Sequence, residues 1–222
     1  MTIRQKIKIL RETNWLKTIR VNFYYFPFGV AIKLPIFIAY RTVLQTVMGG
    51  VKIDGTASPG MMLFGYKSLG SIDSFYERSI WSVSGNIVLK GKDISIGRGS
   101  KLCVSGLCSI DKRFMITGRS SIICRSNISF GQNVLLSWDI LIMDTDYHSV
   151  LDEHGRIINP DCSIIIGDDV WIGCRSTVLK GSNIPSNAVI AACSVISGKM
   201  DKERCIYSSN NRILKENISW KR

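Results

Sequence analysis

Branched aliphatic residues recur at every sixth position over the C-terminal part of the chain. Positions 166, 172, 178, 184, 190 and 196 are all Ile or Val, and the fifth residue of each six is small or Val. A period of six fits neither an α-helix nor a plain strand. We interpret each six as a short strand, with its first and fifth side chains pointing inward, followed by a corner.

Three such strands predict a triangular coil of 18 residues. Stacked coils would bury a continuous ladder of aliphatic side chains, as in other solenoids. Glycines follow several leading aliphatics, where we expect a sharp turn to need their conformational freedom: Gly131, Gly167 and Gly173. The same spacing extends upstream through Ile116, Ile122, Ile128, Val134 and Ile140.

The repeat is interrupted between Ile142 and Ile166 by a polar, turn-rich stretch. This stretch contains both histidines of the chain, His148 and His154. A solenoid that extrudes a loop usually does so on its working face. We therefore expect the chemistry of the protein in this loop.

The chain divides into three parts by its pattern. Residues 1–50 are a basic and aromatic segment, residues 51–200 form the solenoid with its loop at 143–163, and residues 201–222 cap the far end. Apolar and basic residues alternate over 2–20, which predicts an amphipathic helix with Thr13 or Asn14 as a break.

The N-terminal segment is strongly cationic. Residues 1–46 contain eight Lys or Arg and one acid, Glu12, in a chain of net charge +12. A cationic arm implies an anionic partner such as a phospholipid surface, although a solvated basic helix is an alternative interpretation. The longest uncharged run, 21–32, is 12 residues, too short to span a bilayer. No nucleic-acid-binding motif accompanies the charge.

The seven cysteines favour neither disulfides nor a metal. Their number is odd and no CxxC pair occurs, so we expect no structural zinc site. A reduced cysteine behaves as a small buried hydrophobe, which indicates a cytoplasmic protein.

The repeat resembles that of the left-handed β-helix, hexapeptide-repeat acyltransferases over about residues 85–200. Within that family the chain is most similar to sugar O-acetyltransferases of the galactoside and maltose acetyltransferase type. It is closer still to those of capsule and exopolysaccharide clusters, which share the string Ser-Trp-Asp-Ile-Leu-Ile-Met-Asp-Thr-Asp-Tyr-His found at 137–148. The resemblance implies an all-β, left-handed parallel β-helix that forms a homotrimer with active sites between subunits.

The resemblance also implies site residues. His148 falls where the family has its catalytic base, with His154 as the alternative, and imidazole suits that task because it titrates near neutrality. Asp146 or Asp144 would orient His148, and we favour Asp146. Residues expected at the sugar acceptor are Trp138, Asp139 and Asp144. Residues expected at acetyl-CoA are Trp171, Cys174, Lys180, Ala192, Ser197, Lys199 and Arg212. Two departures from the family tail, at Ser197-Gly-Lys199 and Asn211-Arg212, affect the nucleotide contacts.

The predicted function is acetyl-CoA-dependent O-acetylation of a sugar in a surface polysaccharide or its precursor. The transfer is expected to be direct, without a metal, in the cytoplasm or on the inner face of the membrane. An acetyl-cysteine intermediate at Cys174 is a second mechanism. N-acetylation of an amino sugar and a non-catalytic scaffold remain alternatives. A metal-dependent carbonic anhydrase of this fold would need three histidine ligands, and the chain has two histidines.

Overall fold

Three parallel β-sheets form the faces of a prism in this computed structural model, which describes residues 3–66, 70, 72, 73 and 75–221. Sheet I contains β1 (Ile36–Ile38), β4 (Met62–Tyr66), β7 (Ile94–Gly97), β10 (Met115–Gly118), β13 (Leu135–Trp138), β16 (Trp171–Ile172), β19 (Val189–Ile190), β21 (Ile206–Ser208) and β22 (Arg212–Lys215). Sheet II contains β2 (Thr42–Val47), β5 (Ser79–Val83), β8 (Lys101–Val104), β11 (Ser121–Cys124), β14 (Leu141–Met143), β17 (Thr177–Leu179) and β20 (Val195–Ile196). Sheet III contains β3 (Gly50–Ile53), β6 (Asn86–Leu89), β9 (Leu107–Ile110), β12 (Asn127–Phe130), β15 (Ile164–Ile166) and β18 (Asn183–Ile184).

From β1 to β20, successive strands belong to successive sheets, so the chain winds through I, II and III once per coil. Each strand pairs in parallel with its counterpart in the next coil, and β22 alone among the described strands runs antiparallel, against β21. The predicted left-handed parallel β-helix is confirmed. Its interior is the predicted aliphatic ladder, for example Ile116, Leu136, Ile172 and Ile190, which are at most 1% exposed.

The coils do not all have the predicted length. Trp171 pairs with Val189, 18 positions later, as the repeat predicts. Upstream, however, Met115 pairs with Leu135, 20 positions later. The two extra residues lie between sheets II and III: Ile122 of β11 and Phe130 of β12 are eight positions apart, whereas their counterparts in the later coil, Val178 and Ile184, are six positions apart. The prediction of 18-residue coils was therefore wrong upstream, because the six-residue spacing was extended across this longer passage from sheet II to sheet III.

Glycines serve close packing between coils more than they serve sharp turns. A Cβ on Gly173 would lie 2.6 Å from the backbone N of Ala192 in the next coil, and one on Gly167 would lie 2.7 Å from Ser186 N. Neither glycine has a positive φ. Corner residues with a left-handed backbone are instead non-glycine residues such as Asn133 (φ 57°) and Arg175 (φ 58°). The prediction that Gly167 and Gly173 provide conformational freedom at sharp turns was therefore wrong.

Three helices precede the solenoid: α1 (Ile3–Glu12), α2 (Trp15–Tyr25) and α3 (Phe28–Ala31). The break between α1 and α2 lies at Thr13 and Asn14, and the Asn14 side chain caps α2 by accepting from Lys17 N. Among the described residues, no helix combines the length and hydropathy needed to cross a bilayer.

Helix α2 closes the open end of the solenoid. Asn22 Nδ2 donates to the carbonyl of Ile36 at 2.7 Å, and Asn22 Oδ1 accepts from Ile36 N at 3.0 Å. Thr18 Oγ1 accepts from Ile38 N. These bonds satisfy the backbone groups on the free edge of β1, which would otherwise be left unpaired. The first coil thus begins at Ile36, inside the segment that we had assigned to residues 1–50.

A short cap follows at the other end. A 3-10 turn, Ser209–Asn211, joins β21 to β22, and the tail then lies against sheet I. The side-chain Nε1 of Trp220 donates to the carbonyl of Asp169 at 2.6 Å.

Candidate functional site

The loop that carries both histidines leaves sheet II after β14 and rejoins sheet III at β15. Strands before and after the loop pair residues that are 36 positions apart in sequence, such as Leu136 and Ile172. In the later coils the paired residues are 18 positions apart, so the loop adds 18. The insertion therefore equals one coil in length. This equality explains why the six-residue frame continues unchanged on both sides of the loop.

One lysine holds the base of the loop together. Lys180, directly after β17, donates from Nζ to Asp146 Oδ2 at 2.6 Å. The same ammonium donates to the carbonyls of Asn159 at 2.8 Å and Pro160 at 3.1 Å. Its three protons thus have three acceptors. Lys180, which we had expected at coenzyme A, is instead committed to the loop.

His148 is exposed on this loop, and its backbone is fixed while its ring is free. Its N–H donates to the carbonyl of Asp146 at 2.7 Å, and its own carbonyl accepts from Asn159 Nδ2 at 2.9 Å. Among the described residues, none makes a hydrogen bond to the imidazole. The ring is therefore available to a substrate hydroxyl.

Asp146 does not orient the His148 ring in this structure. Its carboxylate accepts from Lys180 and, at 2.8 Å, from Asn159 Nδ2. These donors lower the pKa of Asp146, the Lys180 hydrogen bond having the larger effect, so the carboxylate stays ionised at neutral pH. Asp146 acts on His148 through the backbone of the loop. Asn159, which no motif in the sequence singled out, contacts both residues.

Asp144 is fully buried at the point where the loop begins. Its two carboxylate oxygens accept from the backbone N–H groups of Arg125 at 2.7 Å and Ser126 at 2.9 Å, in the coil before. Both oxygens are thus used in the fold. Asp144 therefore holds the start of the loop to the coil before it.

A second set of predicted residues lines the corner between sheets I and II. Cys174 and Ala192 occupy equivalent positions in adjacent coils, and the carbonyl of Cys174 accepts from Cys193 N at 2.9 Å. Trp138 is the equivalent residue one coil earlier, with its carbonyl accepting from Arg175 N at 3.0 Å. The edge is therefore a column of backbone amides along the solenoid axis, with Ala192 exposed.

Trp171 lies beside this edge with 38% of its surface exposed. Its indole Nε1 donates to Ser137 Oγ at 3.1 Å, which fixes the ring on the outer face of sheet I. The Trp220 ring lies 6.1 Å away, tilted by 42°. The sequence placed no role on Trp220, because its position depends on how the tail folds back.

The remaining predicted residues are scattered. Asp139 is bound by Arg119, which donates from Nε at 2.7 Å and Nη2 at 2.8 Å, so its carboxylate is also occupied. Lys199 pairs with Asp201 at 3.3 Å, and Ser197 is exposed. Arg212 is exposed at the start of β22. Lys199 and Arg212 are both exposed cations near the C-terminal end of the solenoid.

The two halves of the predicted site lie at different corners of one chain. The loop with His148 leaves at the corner between sheets II and III, whereas Cys174 and Ala192 lie at the corner between sheets I and II. Strand β17 runs from one corner to the other, from Thr177 to Leu179. A single chain therefore does not bring these groups together. No group of residues that could hold a metal occurs in the described part of the chain.

Comparison with known proteins relates the chain to sugar-polymer acetyltransferases. It is 34% identical over 110 residues to a polysialic acid O-acetyltransferase of Neisseria meningitidis, covering 45% of this chain and 51% of that protein. It is 27% identical over 138 residues to a polysialic acid O-acetyltransferase of Escherichia coli O1:K1 / APEC, covering 62% and 43%. The chain thus spans about half the length of the curated relatives it matches. No protein-family model matches it.

A solved structure of a polysialic-acid-specific acetyltransferase, NeuO, superposes with a TM-score of 0.45 at 18% identity, covering 85% of this chain and 79% of that one. The sequence relatives confirm the predicted similarity to sugar O-acetyltransferases.

Proposed function

We propose that this protein is an acetyl-CoA-dependent O-acetyltransferase that modifies a hydroxyl group of a sugar in a surface polysaccharide or its precursor. The observation that carries the proposal is the coil-length loop, which presents a free imidazole from a rigid, latched backbone on a solenoid related in sequence to O-acetyltransferases. A scaffold would have no need of such a loop.

His148 is the general base in this proposal. Its ring accepts the proton of the sugar hydroxyl as that oxygen attacks the carbonyl carbon of the thioester. A C–O bond forms, the C–S bond breaks, and the coenzyme A thiolate leaves and takes up the proton. The transfer is direct and uses no metal. Since the Asp146 carboxylate is held by Lys180 and Asn159, its part is to position the loop backbone.

Coenzyme A is proposed to bind as a co-substrate along the corner between sheets I and II. The column through half-buried Cys174 and exposed Ala192 offers backbone donors for the thioester and pantetheine, and Trp171 offers an apolar wall. Ser197, Lys199 and Arg212 lie in the coils beyond and would meet the nucleotide and its phosphates. Trp138, one coil earlier on this column, would approach the acceptor.

A second copy of the chain completes the site. Because His148 and the Cys174–Ala192 edge lie at different corners, the loop of one copy must reach the edge of another, and a closed ring of three copies repeats this contact three times. Exposed aliphatic residues on the flat faces support such packing: Leu107, Ile165 and Val195.

The reaction is tested by thiol release from acetyl-CoA with polysialic acid and other sugar polymers as acceptors. We expect acceptor-dependent release that falls by at least about 100-fold in His148→Ala, as for loss of a general base. His154→Ala is the matched control, since His154 is exposed at the loop tip, and it should keep wild-type turnover. Equal turnover in His148→Ala and wild type would overturn the assignment of the base.

The shared site is tested by mixing two inactive variants. His148→Ala removes the base, and Ala192→Trp fills the exposed edge without entering the core. Co-expressed chains should regain part of the activity, because some interfaces combine an intact loop with an intact edge. A mixture as inactive as its parents, although assembled, would place the whole site in one chain.

A further inference from the structure

The N-terminal helices present an apolar face that nothing in the described chain covers. None of the residues of α1 is buried. Six large apolar side chains on α1 and α2, here called the outer helix face, are between 46% and 83% exposed: Ile3, Ile7, Leu10, Leu16, Ile19 and Phe23. Their spacing of three and four residues places each set of three along one side of its helix.

The outer helix face points away from the solenoid. The opposite side of α2 carries Thr18, Val21 and Asn22, which are fully buried against the first coil. Leu16, Ile19 and Phe23 alternate with these residues along the helix, so they lie on the far side. The α2 part of the surface is therefore the outermost layer of the capped end, and α1 ends beside the third coil, where Glu12 pairs with Arg98.

Cations surround this face. Exposed basic side chains accompany it on both helices: Arg4, Lys6, Lys8, Arg11 and Arg20. The acidic residue of these helices, Glu12, is already paired with cations. Its carboxylate lies 3.7 Å from Lys8 Nζ and 3.5 Å from Arg98 Nη2. Lys17 is turned inward and donates to the carbonyls of Tyr40 and Thr42.

This combination of apolar and cationic groups selects the partner. Two copies of the surface would bring like charges together and repel each other. An anionic bilayer offers an apolar layer beneath negative headgroups, which matches apolar side chains bordered by Lys and Arg. We propose that the outer helix face docks on an anionic lipid bilayer as an interfacial anchor.

The anchor would hold the solenoid end-on. Because α2 lies across the edge of the first coil, docking directs the solenoid axis away from the membrane. The histidine loop leaves the fifth coil, between β14 and β15. Four coil spacings of about 4.8 Å place it about 19 Å beyond the first coil, and the helix layer adds about 10 Å. If the proposed acetyl transfer holds, the acceptor is a chain end that reaches this height and is not a sugar attached directly to lipid.

Vesicle binding by the full chain tests the anchor. With phosphatidylcholine vesicles containing about 30% phosphatidylglycerol, wild type should co-sediment, and binding should weaken with salt and without the anionic lipid. The triple variant Arg4→Glu, Lys6→Glu, Lys8→Glu should lower the partition coefficient by at least about 100-fold.

A variant of equal net charge is the control. Lys112→Glu, Lys215→Glu, Lys221→Glu changes exposed lysines far from the helices and should bind within about twofold of wild type. Equal losses in both triple variants would show general charge attraction and would overturn the proposal.

The apolar contribution has its own pair of variants. Leu16→Glu should reduce binding, whereas Leu214→Glu on β22, also exposed, should not. Neither side chain packs in the core, so melting temperatures should stay unchanged. If wild type ignores the vesicles and Leu16→Glu instead lowers the oligomer mass in analytical ultracentrifugation, the face joins copies of the chain and the lipid proposal is wrong.

Hydrogen exchange on vesicles tests the orientation. We expect protection of amides within residues 3–31 and none in the loop at 144–163. Protection spread along one sheet through the fifth coil would show side-on binding and overturn the end-on geometry. His148→Ala should bind vesicles like wild type, so a failed anchor and a failed acetyl transfer give separate results.

Discussion

The buried carboxylate of Asp144 gives a sharp prediction because the structure assigns it to the fold, while the sequence suggested a contact with the acceptor. In Asp144→Ala the N–H groups of Arg125 and Ser126 lose their acceptor. An unpaired buried amide costs about 1–3 kcal/mol. Arg125 is exposed and Ser126 half-buried, so water can replace part of the loss. We expect a decrease of about 2–3 kcal/mol in the free energy of unfolding.

Thermal unfolding followed by circular dichroism measures this effect. For a chain of this size 1 kcal/mol corresponds to about 2–4 °C, so the melting temperature should fall by about 4–12 °C. Asp144→Asn keeps one carbonyl acceptor and should lie between alanine and wild type. Asp139→Ala, whose carboxylate binds Arg119 at the surface, should change the melting temperature less than either. An unchanged melting temperature in Asp144→Ala together with loss of acceptor binding would refute the structural role.

Three further predictions follow from packing and charge. Gly173→Ala should destabilise the fold by about 1–3 kcal/mol in denaturant titration, since the new Cβ meets the backbone of the next coil, whereas Gly29→Ala, with open space, should not; equal stability of the two would refute this. Native Cys193 is exposed and should be alkylated quickly, whereas burial and the neighbouring Asp144 carboxylate raise the pKa of Cys124 to about 12, so mass spectrometry should find it unmodified; comparable labelling would contradict the packing. The lowered pKa of Asp146 means that its contribution is complete above the ordinary value of 3.8 and is lost as the pH falls through its lower folded value. The hydrogen-exchange protection of the loop amides should therefore be about constant between pH 5 and 8. A loss of protection near neutrality would argue against the bond between Lys180 and Asp146.

The architecture was accessible from sequence because its cause is local. Ile172, Val178 and Ile184, at six-residue spacing, place one buried aliphatic side chain on each face of the prism. This pattern can be read from neighbouring residues without knowing any contact between distant parts of the chain. The 20-residue coils were not accessible, because the longer passage from Ile122 to Phe130 contains Ile128, which keeps aliphatic residues at six-residue spacing through Val134.

The candidate site was only partly accessible. The loop and its histidines follow from the interruption of the repeat. The partners of the loop do not, since Lys180 meets Asp146 and Asn159 only through the return of the chain one coil later. The helix cap depends in the same way on Asn22 finding the free edge of β1. Such contacts join residues whose spacing in sequence follows no repeat.

The most direct test of acetyl transfer follows the acetyl group itself. Protein is incubated with acetyl-CoA labelled with carbon-13 in the acetyl group and a polysialic acid acceptor, and the labelled product is examined by NMR. We predict a labelled ester on a sugar hydroxyl with wild type and His154→Ala, and none above background with His148→Ala. A labelled amide, or an unlabelled acceptor in the presence of folded protein that binds coenzyme A, would contradict this prediction.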